Sequence, residues 1–164
     1  MAAKEKTLQD LFFETLKDIY HAEKQILKAL PKTAKTAHSE ELRRAFETHR
    51  AETEGQVDRL EKIFEQMGKA ARAKPCEAIQ GLVEEGKEVM DDFKDSPALD
   101  AGLLAGAQAV EHYEISRYGT LKSWANQLGM RDAAKLLEET LQEEKRTDEL
   151  LTKIAERTVN QQAA

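Results

Sequence analysis

Four glutamates interrupt faces that would otherwise be apolar. Glu23, Glu52, Glu114 and Glu144 each stand in a run whose apolar residues recur at three- and four-residue spacing, the mark of a helix turned toward a core. A carboxylate taken out of water costs several kcal/mol even after relaxation, and four together repel one another. Either several are protonated or cations lie among them. Oxygen donors on facing helices suit hard or borderline ions such as iron and manganese. In dimetal carboxylate bundles, two helices each give one Glu, and two others each give a Glu plus a second ligand about one turn later. Gln56 follows Glu52, and Asp148 follows Glu144, at that spacing. The chemistry expected is therefore a pair of metal ions, iron or manganese, that meet O2 or peroxide and change oxidation state.

The elements that must hold these groups are all helices. Five helical segments are expected, at about 7–38, 40–67, 76–93, 98–128 and 132–158, with 160–164 as a frayed tail. Ser39 is a good N-cap, and Gly68 and Gly129 are good stops. Ser96 can cap the fourth helix, with Pro97 at its first position. Pro31 should kink the first helix or end its regular part. First pairs with second, and fourth with fifth, through tight turns, so each pair should be an antiparallel hairpin. The short third helix lies in the connection between them. Two hairpins joined by a long crossover make a ferritin-like four-helix bundle.

Depth selects among the acids. Glu23 and Glu52 lie at about 15 and about 14 positions from the first turn, and Glu114 and Glu144 at similar separations from the second. Each pair should meet at one level near mid-bundle. The second hairpin also repeats the first at an offset of about 91 residues. Phe12 maps to Leu103, His21 to His112, Glu23 to Glu114 and Leu30 to Leu121. With one further residue of offset, Glu52 maps to Glu144 and Gln56 to Asp148. A pseudo-twofold axis would place two metals side by side.

Composition bounds the rest. The chain has 164 residues, 34% charged and 5% aromatic, with net charge −6 and one cysteine. That is one domain, residues 1–164, all-α. The acidic balance argues against nucleic acid or an anionic membrane as partner; the basic stretch GKAARAK reads as a solvated loop. A single cysteine, Cys76, excludes an internal disulfide and cysteine-cluster zinc sites. With no apolar signal core and no run of membrane length, a cytoplasmic location is expected. Apolar residues expected at the surface, Trp124, Leu128, Phe64 and Phe93, point to a homodimer. His49, one turn before Glu52, is either a ligand or, the reading favoured here, a core histidine hydrogen-bonded to a carboxylate. Tyr20, Tyr113 and Tyr118 read as packed tyrosines with hydroxyl partners. No hydrolase constellation or phosphate loop is present.

Several motifs together carry a resemblance: YHAEKQILKAL, HRAETEGQVDRLEKIFE, AQAVEHYEISRYGTLKSWANQLG and LLEETLQEEKRTDELLTKIA. They resemble the bacterial YciE/YciF-type ferritin-like stress proteins over nearly the whole chain. The resemblance implies a rubrerythrin-like bundle, often dimeric, with a dimetal centre and a part in stress response. It places the family's acids on Glu23, Glu52, Glu114, Glu144 and Asp148. Glu111 resembles the additional glutamate that rubrerythrins carry one turn before a ligand. The Glu-x-x-His pairs of ferritin-like oxidases are missing: residue 55 is Gly and residue 147 is Thr. Imidazole ligands tune redox potential, so their absence counts against oxidase-grade iron chemistry. No catalytic residue is assigned.

Two classes of function lead, ahead of a third, metal storage in a cage, which ranks last. One is a dimetal oxidoreductase or metal-handling protein. It would draw electrons from an external donor, because the chain carries no rubredoxin-like four-cysteine site. The other is a structural or interaction bundle without catalytic metal chemistry.

Overall fold

The computed structural model describes residues 5–164. Five long helices carry it: α1 (Leu8–Thr36), α2 (Glu40–Gln66), α3 (Glu77–Asp92), α4 (Leu99–Gln127) and α5 (Arg131–Ile154). A π-helical turn, Ala155–Val159, and a short α6, Asn160–Ala163, extend α5. No strand is present among the described residues.

Local chemistry sets most boundaries. Thr7 opens α1 with a capping box: its hydroxyl accepts from Asp10 N–H, and its own N–H donates to Asp10 Oδ2 at 2.8 Å. Ser39 caps α2 by accepting the Leu42 N–H at 3.3 Å. Gly68 and Gly129, at φ of 64° and 73°, end α2 and α4 in the left-handed conformation that favours glycine.

Two boundaries depart from expectation, and at Pro31 the first helix continues rather than ends, within its expected span. Helix α1 runs on through Pro31 to Thr36. Pro31 is exposed while Leu30 and Ala34 on either side are buried, so packing of the inner face carries the helix past it. Pro97 stands two residues before α4 begins, and Ser96 Oγ accepts from Ala98 N–H at 3.1 Å in the preceding turn. The tail from residue 160 is helical, because buried Ala155 and Val159 hold the π turn and α6 against α4.

The helices α1, α2, α5 and α4 form a closed ring of neighbours: α1 packs on α2, α2 on α5, α5 on α4, and α4 on α1. Asp100 closes the wiring. Its two oxygens accept the N–H groups of His38 (2.8 Å) and Ser39 (2.6 Å) at the α1–α2 turn. Helix α4 therefore starts where α1 ends, and the crossover that contains α3 must travel back along the bundle. This is the ferritin-like connection. Helix α3 lies across α1 and α4.

Apolar layers fill both ends of the ring. Leu30, Leu42, Phe46 and Leu103 are buried toward the α1–α2 turn, and Phe12, Leu16, Ile63, Leu121 and Leu137 toward the other end. Of the four apolar residues expected outside, Phe93 is 45% exposed, while Trp124 and Leu128 are half-buried. Phe64 is buried instead, edge-on to Phe13 and Tyr20. That removes it from the surface that motivated a homodimer.

Candidate metal centre

Between the apolar layers lies a polar one. Its side chains come from all four bundle helices: Glu23 from α1, His49 and Gln56 from α2, Glu111, Glu114 and Tyr118 from α4, and Glu144 from α5. All are buried. No Lys or Arg is buried among the described residues, so no cation of the chain offsets these carboxylates from within.

Donor atoms of His49, Glu111, Glu114 and Glu144 all lie within 4.8 Å of one another. His49 Nε2 is 3.4 Å from Glu111 Oε1. The Tyr118 hydroxyl donates to Glu23 Oε1. The Gln56 amide donates to Glu144 Oε1, and at 3.1 Å to Glu143 Oε2. Arg59 holds Glu143 from outside with a fork, Nη1 at 2.7 Å and Nη2 at 2.6 Å. The amide of Gln56 is thus oriented by an ion pair at the edge of the layer.

Burial dominates the electrostatics. It pushes the Glu23 carboxyl up to about 8, with the nearby Glu144 charge adding to the effect and the Tyr118 hydrogen bond opposing it. Burial and the contact with Glu144 push Glu111 up to about 12. Glu114 lies well above the usual carboxylate range, raised by burial and by the Glu144 charge. The His49 imidazole is pushed down by burial, which keeps it neutral with a lone pair free to coordinate. Two carboxylates in contact can hydrogen-bond only if one carries a proton. As ionised groups, both oxygens of Glu114, and one each of Glu23, Glu111 and Glu144, have no hydrogen-bond donor; His49 Nδ1 likewise has no partner.

Such unpartnered, buried oxygens are uncommon in folded proteins. An oxygen-rich set with one neutral imidazole fits iron or manganese. A cation would satisfy the orphaned lone pairs and neutralise the repulsion together. The residues present therefore fit a metal ion, with His49, Glu111, Glu114 and Glu144 as the set that would hold it and Glu23 beside them.

The expected residues divide by position. Glu23, Gln56, Glu111, Glu114 and Glu144 are buried in this layer. Glu52 is half-buried, and its Oε2 accepts the Thr147 hydroxyl at 3.3 Å. Asp148 lies at the edge, where its carboxylate meets His112 Nε2 at 3.0 Å and the Gln108 amide at 3.1 Å. On α2 it is His49 rather than Glu52 that reaches the cluster. Sequence reasoning did not foresee the Tyr118–Glu23 bond, although Tyr118 follows Glu114 by one turn in the same stripe. Nor did it find Arg59 and Glu143, which sit off the stripes and carry no local signal.

Fold and layer together define a ferritin-like helical bundle with a buried histidine–glutamate cluster whose donor atoms lie close enough together to hold a metal ion. Residues 7–164 match the family described as Domain of unknown function (DUF892). Protein YciF of Escherichia coli (strain K12) is 48% identical over 160 residues, 96% of each chain. The crystal structure of the E. coli stress protein YciF superposes with a TM-score of 0.90 at 46% identity, over 95% of this chain and 99% of that one. YcfI, described as a putative structural protein from Rhodopseudomonas palustris, superposes at 0.87 with 41% identity, over 93% of this chain and 97% of that one. The chain belongs to this family of ferritin-like YciF-type proteins. No helix among the described residues is long and apolar enough to cross a membrane.

Proposed function

We propose that the protein is a structural helical bundle of the bacterial stress response whose polar layer takes iron or manganese, the ion serving first to tie helices of the bundle together. The observation that carries this is the set of four donors within 4.8 Å of one another, with carboxylate oxygens that have no other partner. Binding an ion there links α2, α4 and α5 directly. The relatives support the structural part, one being described as a stress protein and another as a putative structural protein.

A finer reading is a dimetal centre with redox chemistry. Charge balance favours two ions: Glu23, Glu111, Glu114 and Glu144 together offset two divalent cations. When bound, such ions supply one-electron chemistry with O2 or peroxide. The chain's own part would be to keep the ligands dry, to stabilise the ionised form of Glu23 through the Tyr118 hydroxyl, and to orient Glu144 through Gln56. Two features weigh toward the structural reading. Glu52 and Asp148, the ligands needed to complete a symmetric pair, are bound to Thr147 and to His112 and Gln108. The Glu-x-x-His pairs are also absent.

Metal analysis joined to a turnover assay separates the two. Bound metal with no consumption of peroxide or O2 in the presence of an electron donor supports the structural reading. Consumption that is lost in Glu114→Gln supports the redox one. Absence of metal after anaerobic reconstitution with iron or manganese defeats both.

A further inference from the structure

A half-open cavity of about 280 Å³ is lined by α1, α3 and α4, with Phe46 of α2, and shares no lining residue with the carboxylate layer. Its walls are apolar: Ile26, Leu30, Phe46, Leu82, Met90 and Leu103 are among them. Its charged lining residues are Lys28, Lys32 and Lys87, with no Asp or Glu, in a chain of net charge −6. Lys87 pairs with Glu84 at 2.9 Å, whereas Lys28 and Lys32 form no ion pair among the described residues.

The space is a consequence of how α3 sits. At Gly102, α3 presses onto α4 so closely that an added Cβ would meet Val89 Cγ1 at 2.6 Å. One turn further along α4, at Gly106, and on α3 at Gly86, no atom beyond the local helix backbone and chain neighbours lies within 4 Å of where a Cβ would stand. Both of these glycines line the cavity. Glycine inside a helix is disfavoured relative to alanine, and at Gly86 and Gly106 alanine would meet no obstacle. A side chain at either position would instead point into the cavity and take up its volume.

We propose that this cavity binds a medium-chain alkyl carboxylate, its chain among the apolar walls and its head group at Lys28 and Lys32. At about 30 Å³ for a water-sized group, the volume takes on the order of nine methylenes. Small-molecule sites of this kind are mostly apolar with a few placed polar groups. The two unpaired lysines make the mouth selective for an anion, and the flexible lysine stems can follow the chain while their ammonium groups stay in water.

The test uses the full chain with its metal content held constant, titrated calorimetrically with decanoate, 1-decanol and decyltrimethylammonium. Decanoate should bind at one per chain and more tightly than the cationic chain. Lys28→Ala with Lys32→Ala should weaken decanoate about tenfold and leave 1-decanol unchanged. Gly106→Leu should abolish binding of both, with metal content unaltered. Decanoate should also shift the Met90 methyl resonance in the unmodified protein, which needs no variant to fold. No saturable decanoate binding would overturn the proposal. So would equal affinity for the cationic chain, or an unmoved Met90 signal. Binding to anionic phospholipid vesicles without binding of monomeric decanoate would overturn it too, by assigning the lysines to a lipid surface.

Discussion

The carboxylate of Asp100, at the start of α4, accepts the backbone N–H of Ser39, the residue that caps α2, at 2.6 Å. The same carboxylate takes the His38 N–H at 2.8 Å. A group on the second hairpin thus satisfies two backbone donors at the turn of the first, and it is buried while doing so. This contact sets the height of one hairpin against the other. Glu23 lies about 15 residues before that turn and Glu114 about 14 residues after Asp100, so at 1.5 Å per residue the two acids arrive at one level.

Asp100→Ala should therefore cost about 3 kcal/mol of unfolding free energy, because two N–H groups lose charged acceptors in a buried place. It should also weaken metal binding without touching a ligand. Urea unfolding gives the first quantity and a competition assay against a metallochromic dye the second. An unchanged urea midpoint would mean that water replaces the carboxylate.

The metal-free protein should lose stability as pH rises. The folded values of Glu23, Glu111 and Glu114 are raised above the unfolded glutamate value, so the native state binds more protons than the unfolded chain. Stability is fully present below the unfolded value near ~4.3. It is lost as pH climbs from there, through about 8 for Glu23 and up toward about 12 for Glu111. Urea midpoints of the apo protein should be higher at pH 5 than at pH 8, and saturating metal should reduce the difference. A flat or rising apo profile over that interval would contradict the buried cluster.

Tyr118→Phe removes the hydroxyl that donates to Glu23. Since that bond lowers the Glu23 value, its loss should raise it further and destabilise the apo protein by about 1–2 kcal/mol. The effect should be largest above pH 8, where Glu23 is ionised, and should shrink toward pH 5. Parallel pH profiles of the two proteins would show that Tyr118 acts through packing alone.

Much of this arrangement is legible in the residues. Ser39, Gly68 and Gly129 mark the hairpin ends, and the acids in the stripes mark the layer. What the stripes do not fix is the rotation of a helix about its own axis. His49 and Gln56 lie nearly in line, while Glu52 and Thr53 fall on opposite sides of that line by roughly 60° and 40°. The structure turns Thr53 inward and leaves Glu52 half-exposed. On α5 the turn runs the other way: Thr147 is buried and Asp148 is at the edge. These small rotations answer to contacts between helices, such as the Thr147 hydroxyl on Glu52 and the His112 ring on Asp148, which no single helix encodes. Asp100 is hidden for the same reason, since its partners lie about 60 residues away in sequence.

Cys76 offers a check on the crossover. Its thiol is 3.0 Å from the Tyr113 hydroxyl, which donates to Asp18, and its own N–H donates to His21 Nδ1. Burial pushes the thiol up, so the folded protein should react with a disulfide reagent at least about tenfold more slowly than the urea-unfolded chain. Reaction at the unfolded rate would mean that the crossover is not docked on α1 and α4.

Metal content of purified variants tests the central claim most directly. Wild-type protein reconstituted anaerobically with iron or manganese should hold one to two ions per chain, by about the ligand count of a carboxylate bundle. His49→Ala, Glu111→Gln, Glu114→Gln and Glu144→Gln should each lose most of that metal. Glu52→Ala and Asp148→Asn should lose less, since their carboxylates sit at the edge. Glu47→Ala and Glu139→Ala, exposed residues on α2 and α5, should retain it. Full occupancy in Glu114→Gln and His49→Ala, or equal loss in the Glu47 and Glu139 variants, would show that the buried cluster is a proton-sharing core and not a metal centre.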